Sequence, residues 1–173
     1  ASIKKAKTDD NIKGIYLDAS SISSGFATTE DIRNALLNFK QSGKFIIAYS
    51  EVYTQGAYYL ASVANKVYLN PEGLIDFRGL NSEISFFKGA LDKLEIEAQV
   101  IKVGTYKSAV EPFILDKMSD PNRKQITSFL GSLYDHFLTK IAESRKIPKD
   151  SLFSIANNAK LRNAESAVIY KLA

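Results

Sequence analysis

Phe45-Ile46-Ile47-Ala48-Tyr49, Thr54-Gln55-Gly56-Ala57-Tyr58-Tyr59-Leu60-Ala61-Ser62-Val63 and Lys66-Val67-Tyr68-Leu69 follow one another with only short breaks. The first run is apolar throughout, which reads as a strand buried on both faces. The second has the length of a helix, and the third reads as another strand. Strand, helix and strand in so short a span make this an α/β layer fold.

The same alternation continues outward. Gly14 to Ala19 reads as a strand and Ser20 to Ala27 as a loop of small residues. Thr28-Thr29-Glu30-Asp31 has the form of a capping box with Thr28 as N-cap. Ile32, Ala35, Leu36 and Phe39 then recur at helical spacing, and Gly43 stops that helix. Asn70-Pro71-Glu72-Gly73 is a turn by composition, Phe86 to Leu94 a helix, and Ala98 to Val103 a buried strand. Ser119-Asp120-Pro121 is a helix start, and Ile126, Leu130, Leu133, Phe137 and Ile141 give that helix an apolar face until Ile147-Pro148 ends it. Ser2 to Thr8 and Asn163 to Leu172 read as a first and a last helix. There is no internal repeat and no low-complexity linker, so residues 1–173 are expected to form one domain.

The chain has 173 residues, 45% hydrophobic and 24% charged, with a net charge of +4. That suffices for one core. Lysines are interspersed with acids and form no basic block, so nucleic acid is not an expected partner. No apolar run approaches the ~20 residues needed to cross a bilayer. With one His and no Cys, the common proton carriers are nearly absent, a thiol nucleophile is excluded, and no His/Asp/Glu spacing suggests a metal site. No glycine loop suggests a phosphate-bearing cofactor.

The chemistry is expected instead at Gly104-Thr105-Tyr106-Lys107-Ser108-Ala109-Val110-Glu111-Pro112-Phe113. Gly104 permits a sharp turn after the apolar run. Lys107 then follows among small, aromatic and apolar residues, where loss of solvation favours the neutral amine and so a general base. The plainer reading is a solvated surface lysine.

This segment resembles the one that carries the general-base lysine in the signal peptide peptidase A (protease IV) family, the serine/lysine-dyad peptidases of the crotonase/Clp superfamily. Gly14-Ile15-Tyr16-Leu17-Asp18, Ser42-Gly43-Lys44, Tyr53 to Ser62 and Ala64-Asn65-Lys66 are similar to other stretches of the long, two-repeat form. The similarity runs in order from about Asn11 to about Ser154 and is to the N-terminal repeat. It implies a spiral of β-β-α units, a Lys107 that acts as base, and no cofactor. It also implies peptide substrates of the cleaved-signal-peptide kind, assembly into homo-oligomers, and a place on the periplasmic side of a bacterial inner membrane. The anchor would lie outside these residues, which read as an excised piece beginning at Ala1.

In that family the nucleophilic serine opens a helix in a segment of the type Ala-Ser-Gly-Gly-Tyr. The comparable segment here is Thr54-Gln55-Gly56-Ala57-Tyr58, with Gln55 at the serine position. An amide cannot form an acyl-enzyme. The resemblance therefore implies that this repeat supplies the lysine and a missing C-terminal repeat the serine.

Ser108 is a weak second nucleophile, and a loop or cap serine is the alternative. Ser62 reads as a packed small residue, and Ser20, Ser21, Ser23 and Ser24 as a degenerate oxyanion turn. Glu111 is expected on a solvated face or in a structural ion pair, Asp18 as a loop cap, and His136 as structural or exposed. Tyr53, Tyr58, Tyr59 and Leu60 could line a groove or fill the core. Two other readings stand beside the peptidase. A crotonase-type acyl-CoA enzyme would need paired carboxylates, but Glu51 is alone after the second strand. A non-catalytic oligomerisation scaffold would accommodate Gln55 but leave the lysine segment unexplained.

Overall fold

A computed structural model describes residues 2–101, 103–104 and 106–173. The chain divides into two compact units. One comprises residues up to Gly79 together with Phe137–Ala173, and the other is Leu80–His136.

The first unit is built on a parallel sheet in the order β1-β2-β3, with β1 Gly14–Asp18, β2 Phe45–Tyr53 and β3 Lys66–Ile75. Helices α1 (Ser2–Thr8), α2 (Phe26–Lys40) and α3 (Gln55–Ala61) alternate with these strands. Helices α7 (Lys149–Asn157) and α8 (Ala164–Ile169) follow later in the chain, and α8 packs on β3. The α/β class expected from the alternation is the one observed.

Strand β2 alternates where an all-buried strand was expected. Ile46, Ala48 and Ser50 are buried, while Phe45 is exposed and Ile47 and Tyr49 are half-buried. Its unburied face lies in register with Tyr16 of β1 and Tyr68 of β3, both also exposed. The Asn70–Gly73 turn is real in its chemistry but lies inside β3. Pairing passes from Ser50–Leu69 to Val52–Leu74, so these four residues bulge opposite Glu51. Asn70 Oδ1 accepts from the Glu72 N–H at 2.9 Å, the local bond that Asn favours in turns.

Helix α2 begins earlier than the expected capping box. Gly25 is the N-cap, with no side-chain cap bond, and Thr28 lies in the first turn. Thr29 explains the difference: its hydroxyl donates to the Gly25 carbonyl at 3.2 Å and pairs with Ser24 Oγ at 3.0 Å. Helix α8 has the capping box that α2 lacks, made by Asn163 and Ser166. Helix α7 is an element that the sequence reading did not assign.

Arg33 of α2 is 0% exposed. It donates to the Tyr59 carbonyl, to Ser62 Oγ at 2.7 Å, and to the Lys140 carbonyl and Ser144 Oγ at 2.6 Å each. Its guanidinium also stacks over the Tyr59 ring, 4.3 Å from the centroid. Burial disfavours the charge and lowers its pKa, while Tyr59 and Glu30 act in the opposite direction. An arginine serves here because its fork of donors reaches four acceptors on two other helices.

The second unit contains α4 (Lys88–Lys93), a 3-10 turn at Ser108–Val110, α5 (Glu111–Ile114) and the first part of α6 (Asp120–Arg145). From Phe137 onward α6 belongs to the first unit, where Phe137, Leu138 and Ile141 are buried. Ile126, Leu130 and Leu133 of its expected apolar face are only half-buried. The expected strand at Ala98–Val103 is not formed among the described residues, and Lys102 lies outside them. Ile101 and Val103 are 101% and 83% exposed. A strand requires a neighbour for its backbone groups, and the observed pairings involve β1, β2 and β3 only.

Candidate active site

Gly104 has φ +100, so it supplies the turn expected of it. Thr105 lies outside the described residues. Lys107, at φ −90 and ψ 74, caps the 3-10 turn Ser108–Val110, which runs into α5. Pro112, at the start of α5, suits a helix's first turn. The Lys107 side chain is exposed. It lines an open cleft of about 500 Å³ whose other walls include Ile101, Val103, Tyr106 and Val110. An amine at the rim of an apolar cleft has the right neighbours for a base, but this chain leaves it in water.

Ser108 follows in a 3-10 turn and not in the extended segment expected. Successive side chains in such a turn diverge by about a third of a revolution.

The lysine segment is braced on its C-terminal side. Glu111 is 1% exposed, which overturns the solvated reading. Its carboxylate accepts from Ser119 Oγ at 2.5 Å, the Ser119 N–H at 3.2 Å and Asn122 Nδ2 at 2.8 Å. Ser119 Oγ also accepts from the Asn122 N–H at 3.3 Å, so the helix start expected at Ser119-Asp120-Pro121 is tied to the lysine segment. On the other side, the Phe87 N–H donates to the Pro112 carbonyl at 2.7 Å and the Phe87 ring stacks on Phe113.

In the first unit, Thr54 is the N-cap of α3 and accepts from the Ala57 N–H at 3.4 Å. Gln55 therefore opens the helix, as the resemblance implies for the serine position. It is half-buried, and its Oε1 accepts from the Arg78 N–H at 2.9 Å, holding the segment after β3 against the start of α3. No nucleophile stands there. Tyr53, Tyr58, Tyr59 and Leu60 are core residues, the second of the two expectations. Burial pushes the three phenols well above the ordinary tyrosine value. Tyr58 OH donates to the Leu172 carbonyl at 2.8 Å, and Tyr59 OH to Glu30.

Several other serines hold structure. Ser20 pairs with Ser50 at 2.9 Å, and Ser62 is locked between Arg33 and the Tyr59 carbonyl. The sequence reading passed over Ser154, whose Oγ accepts from Lys160 Nζ at 3.0 Å. That pair closes the C-terminus of α7: Asn158 Nδ2 also reaches Ser154, and the Lys160 N–H bonds the Ile155 carbonyl. His136 is half-buried on α6. Among the described residues no group of His, Asp and Glu could hold a metal, and no helix is long and apolar enough to cross a membrane.

Residues 38–173, which include both the Gln55 and Lys107 positions, match the model of Peptidase family S49. The chain belongs to that family. Among curated relatives, it is 40% identical over 95% of its length to "Protease 4" of Haemophilus influenzae, and 42% identical over 88% to "Protease 4" of Salmonella typhi. It is 31% identical over 88% of its length to "Serine protease SPPA, chloroplastic" of Arabidopsis thaliana. The chain spans about a quarter of the length of each of these relatives: 26%, 25% and 23%. A parallel sheet with helices agrees with the α/β fold expected of an S49 domain.

Proposed function

We propose that this S49 chain is the lysine-donating repeat of a membrane-associated serine endopeptidase that degrades cleaved signal peptides and other apolar peptides. Lys107 is its general base, and a second repeat outside these residues carries the nucleophilic serine. The observation that carries this reading is the pairing of a complete lysine segment, braced at Glu111 and open at Lys107, with a glutamine at the start of α3. The Protease 4 relatives, each about four times the length of this chain, leave room for a second repeat.

In the mechanism that follows, the neutral Lys107 amine takes the proton from a serine hydroxyl as its oxygen attacks the peptide carbonyl carbon. A C–O bond forms, and backbone N–H groups hold the oxyanion. Its collapse breaks the C–N bond, and the lysine returns its proton to the leaving amine. Water, activated by the same amine, then hydrolyses the ester. Because an ammonium cannot accept the first proton, turnover falls as the medium is acidified. The missing repeat would cover Lys107 and exclude water from the cleft. Assembly into homo-oligomers and placement on the periplasmic side of a bacterial inner membrane complete the reading.

The test compares the 173 residues alone with the full-length protein on an apolar peptide ester. The expected result is no turnover by the former, and turnover by the latter that is lost on Lys107→Ala and on treatment with a serine-directed reagent. Serine-reagent-sensitive hydrolysis by the 173 residues alone would overturn the split site.

A further inference from the structure

We infer that Glu111 is a positioning residue for Lys107, acting through a clasp with Ser119 and Asn122 at the start of α6. The inference rests on the reading of Lys107 as the base. Glu111 lies four residues after the lysine, joined to it by the 3-10 turn and the first residue of α5. A displaced carboxylate therefore moves the turn that Lys107 caps. Carboxylates are rarely buried unless bonded, and among the described residues this one accepts from Ser119 and Asn122 at one helix start. Ser119 is itself tied to the Asn122 N–H, so the clasp is closed on both sides.

Lys107 has no such support of its own, because its side chain is exposed. Its placement is set by the backbone, and the backbone is set by Glu111 and by the Phe87–Pro112 bond on the other side. A base must sit within hydrogen-bond reach of the hydroxyl it deprotonates. A shift of about 1 Å costs about 10²-fold in rate.

The clasp has a donor–acceptor direction that can be reversed. Glu111→Gln turns one acceptor into a donor facing Asn122 Nδ2. Asn122→Asp sets a second carboxylate against Glu111. The double variant Glu111→Gln/Asn122→Asp restores the pair between residues 111 and 122 with its direction reversed and leaves an oxygen on residue 111 for Ser119 Oγ, while the weaker bond from the Ser119 N–H is given up.

The experiment measures kcat, KM and thermal midpoint in the full-length protein for both single variants, the double variant and Lys107→Ala. Each single variant is expected to lose about 10–10²-fold in kcat with KM within about twofold, and the double to recover at least half of that loss on a logarithmic scale. If a single variant does not fold, Ser119→Ala replaces it. That substitution removes one bond to the carboxylate and should lower kcat while sparing KM. Wild-type kcat in the single variants, or in Ser119→Ala where it stands in, overturns the clasp while an inactive Lys107→Ala leaves the base reading standing. A double variant no better than its singles also overturns the clasp. An active Lys107→Ala overturns the base reading, and the clasp with it.

Discussion

Lys107 and Arg33 show how little a residue's type says about its surroundings. Lys107 is an exposed amine, so Lys107→Ala should leave the unfolding free energy of the 173 residues in urea unchanged, within about 0.5 kcal/mol. Arg33 is the reverse. Arg33→Ala removes the donors for the Tyr59 and Lys140 carbonyls and for two serine hydroxyls, and leaves a cavity. A loss of about 3–5 kcal/mol in urea unfolding is expected. Gly104→Ala is a finer probe. A side chain at φ +100 is strained, and about 1–2 kcal/mol of stability should be lost. The turn at Gly104 was legible because glycine takes φ +100 without strain. The burial of Arg33 and Glu111 was not, because a charge is buried only where other segments of the chain receive it. The acceptors of Arg33 on α6 lie 107 and 111 residues away.

At the level of elements, the sequence reading did well where a segment's neighbours are local and badly where they are not. Helix α3 is local and was expected, with Thr54 now its N-cap and not its first residue. The Asn70–Gly73 turn was recognised, but its place within a continuing strand depends on Glu51 of β2. A Cβ on residue 73 would lie 2.1 Å from the Glu51 carbonyl oxygen, whereas one on residue 79 would meet nothing within 4 Å. Gly73→Ala should therefore cost about 1–3 kcal/mol or prevent folding, and Gly79→Ala should be near neutral by the same urea measurement. Ala98–Val103 has a strand's composition without a partner, which no local pattern reports.

The tyrosines of β2 and α3 give this layer a pH signature. Burial holds Tyr53, Tyr58 and Tyr59 neutral above their ordinary value of 10.0. Above pH 10 the unfolded chain loses these protons while the folded chain keeps them, so stability should fall as pH rises. Absorbance of tyrosinate should show these three phenols ionising together with loss of the circular dichroism signal. Early, reversible ionisation of every tyrosine in a folded chain would contradict it.

For the whole molecule, the sheet leaves an aromatic face open. Tyr16, Phe45 and Tyr68 are 61%, 48% and 47% exposed and stand in neighbouring registers of the three strands. Parallel sheets are ordinarily covered on both faces. The 173 residues alone should therefore associate as concentration rises, a tendency that light scattering will show and that a strict monomer at high concentration would refute. The α/β class was readable from alternation. The division into two units was not, because it depends on which segments meet after long excursions of the chain.

That division has a consequence for how the protein is made. The core around α3 is completed by residues from Phe137 onward, and Tyr58 bonds the carbonyl of Leu172, 114 residues later. A ribosome adding about 5–20 residues per second has finished the sheet strands many seconds before their last partners emerge. Through that interval the nascent strands hold an unfinished apolar surface, in need of a chaperone or a slow collapse. A product that stops at His136 should be digested rapidly by protease and lack a cooperative melting transition, whereas one that extends through Ala173 should show both resistance and cooperativity.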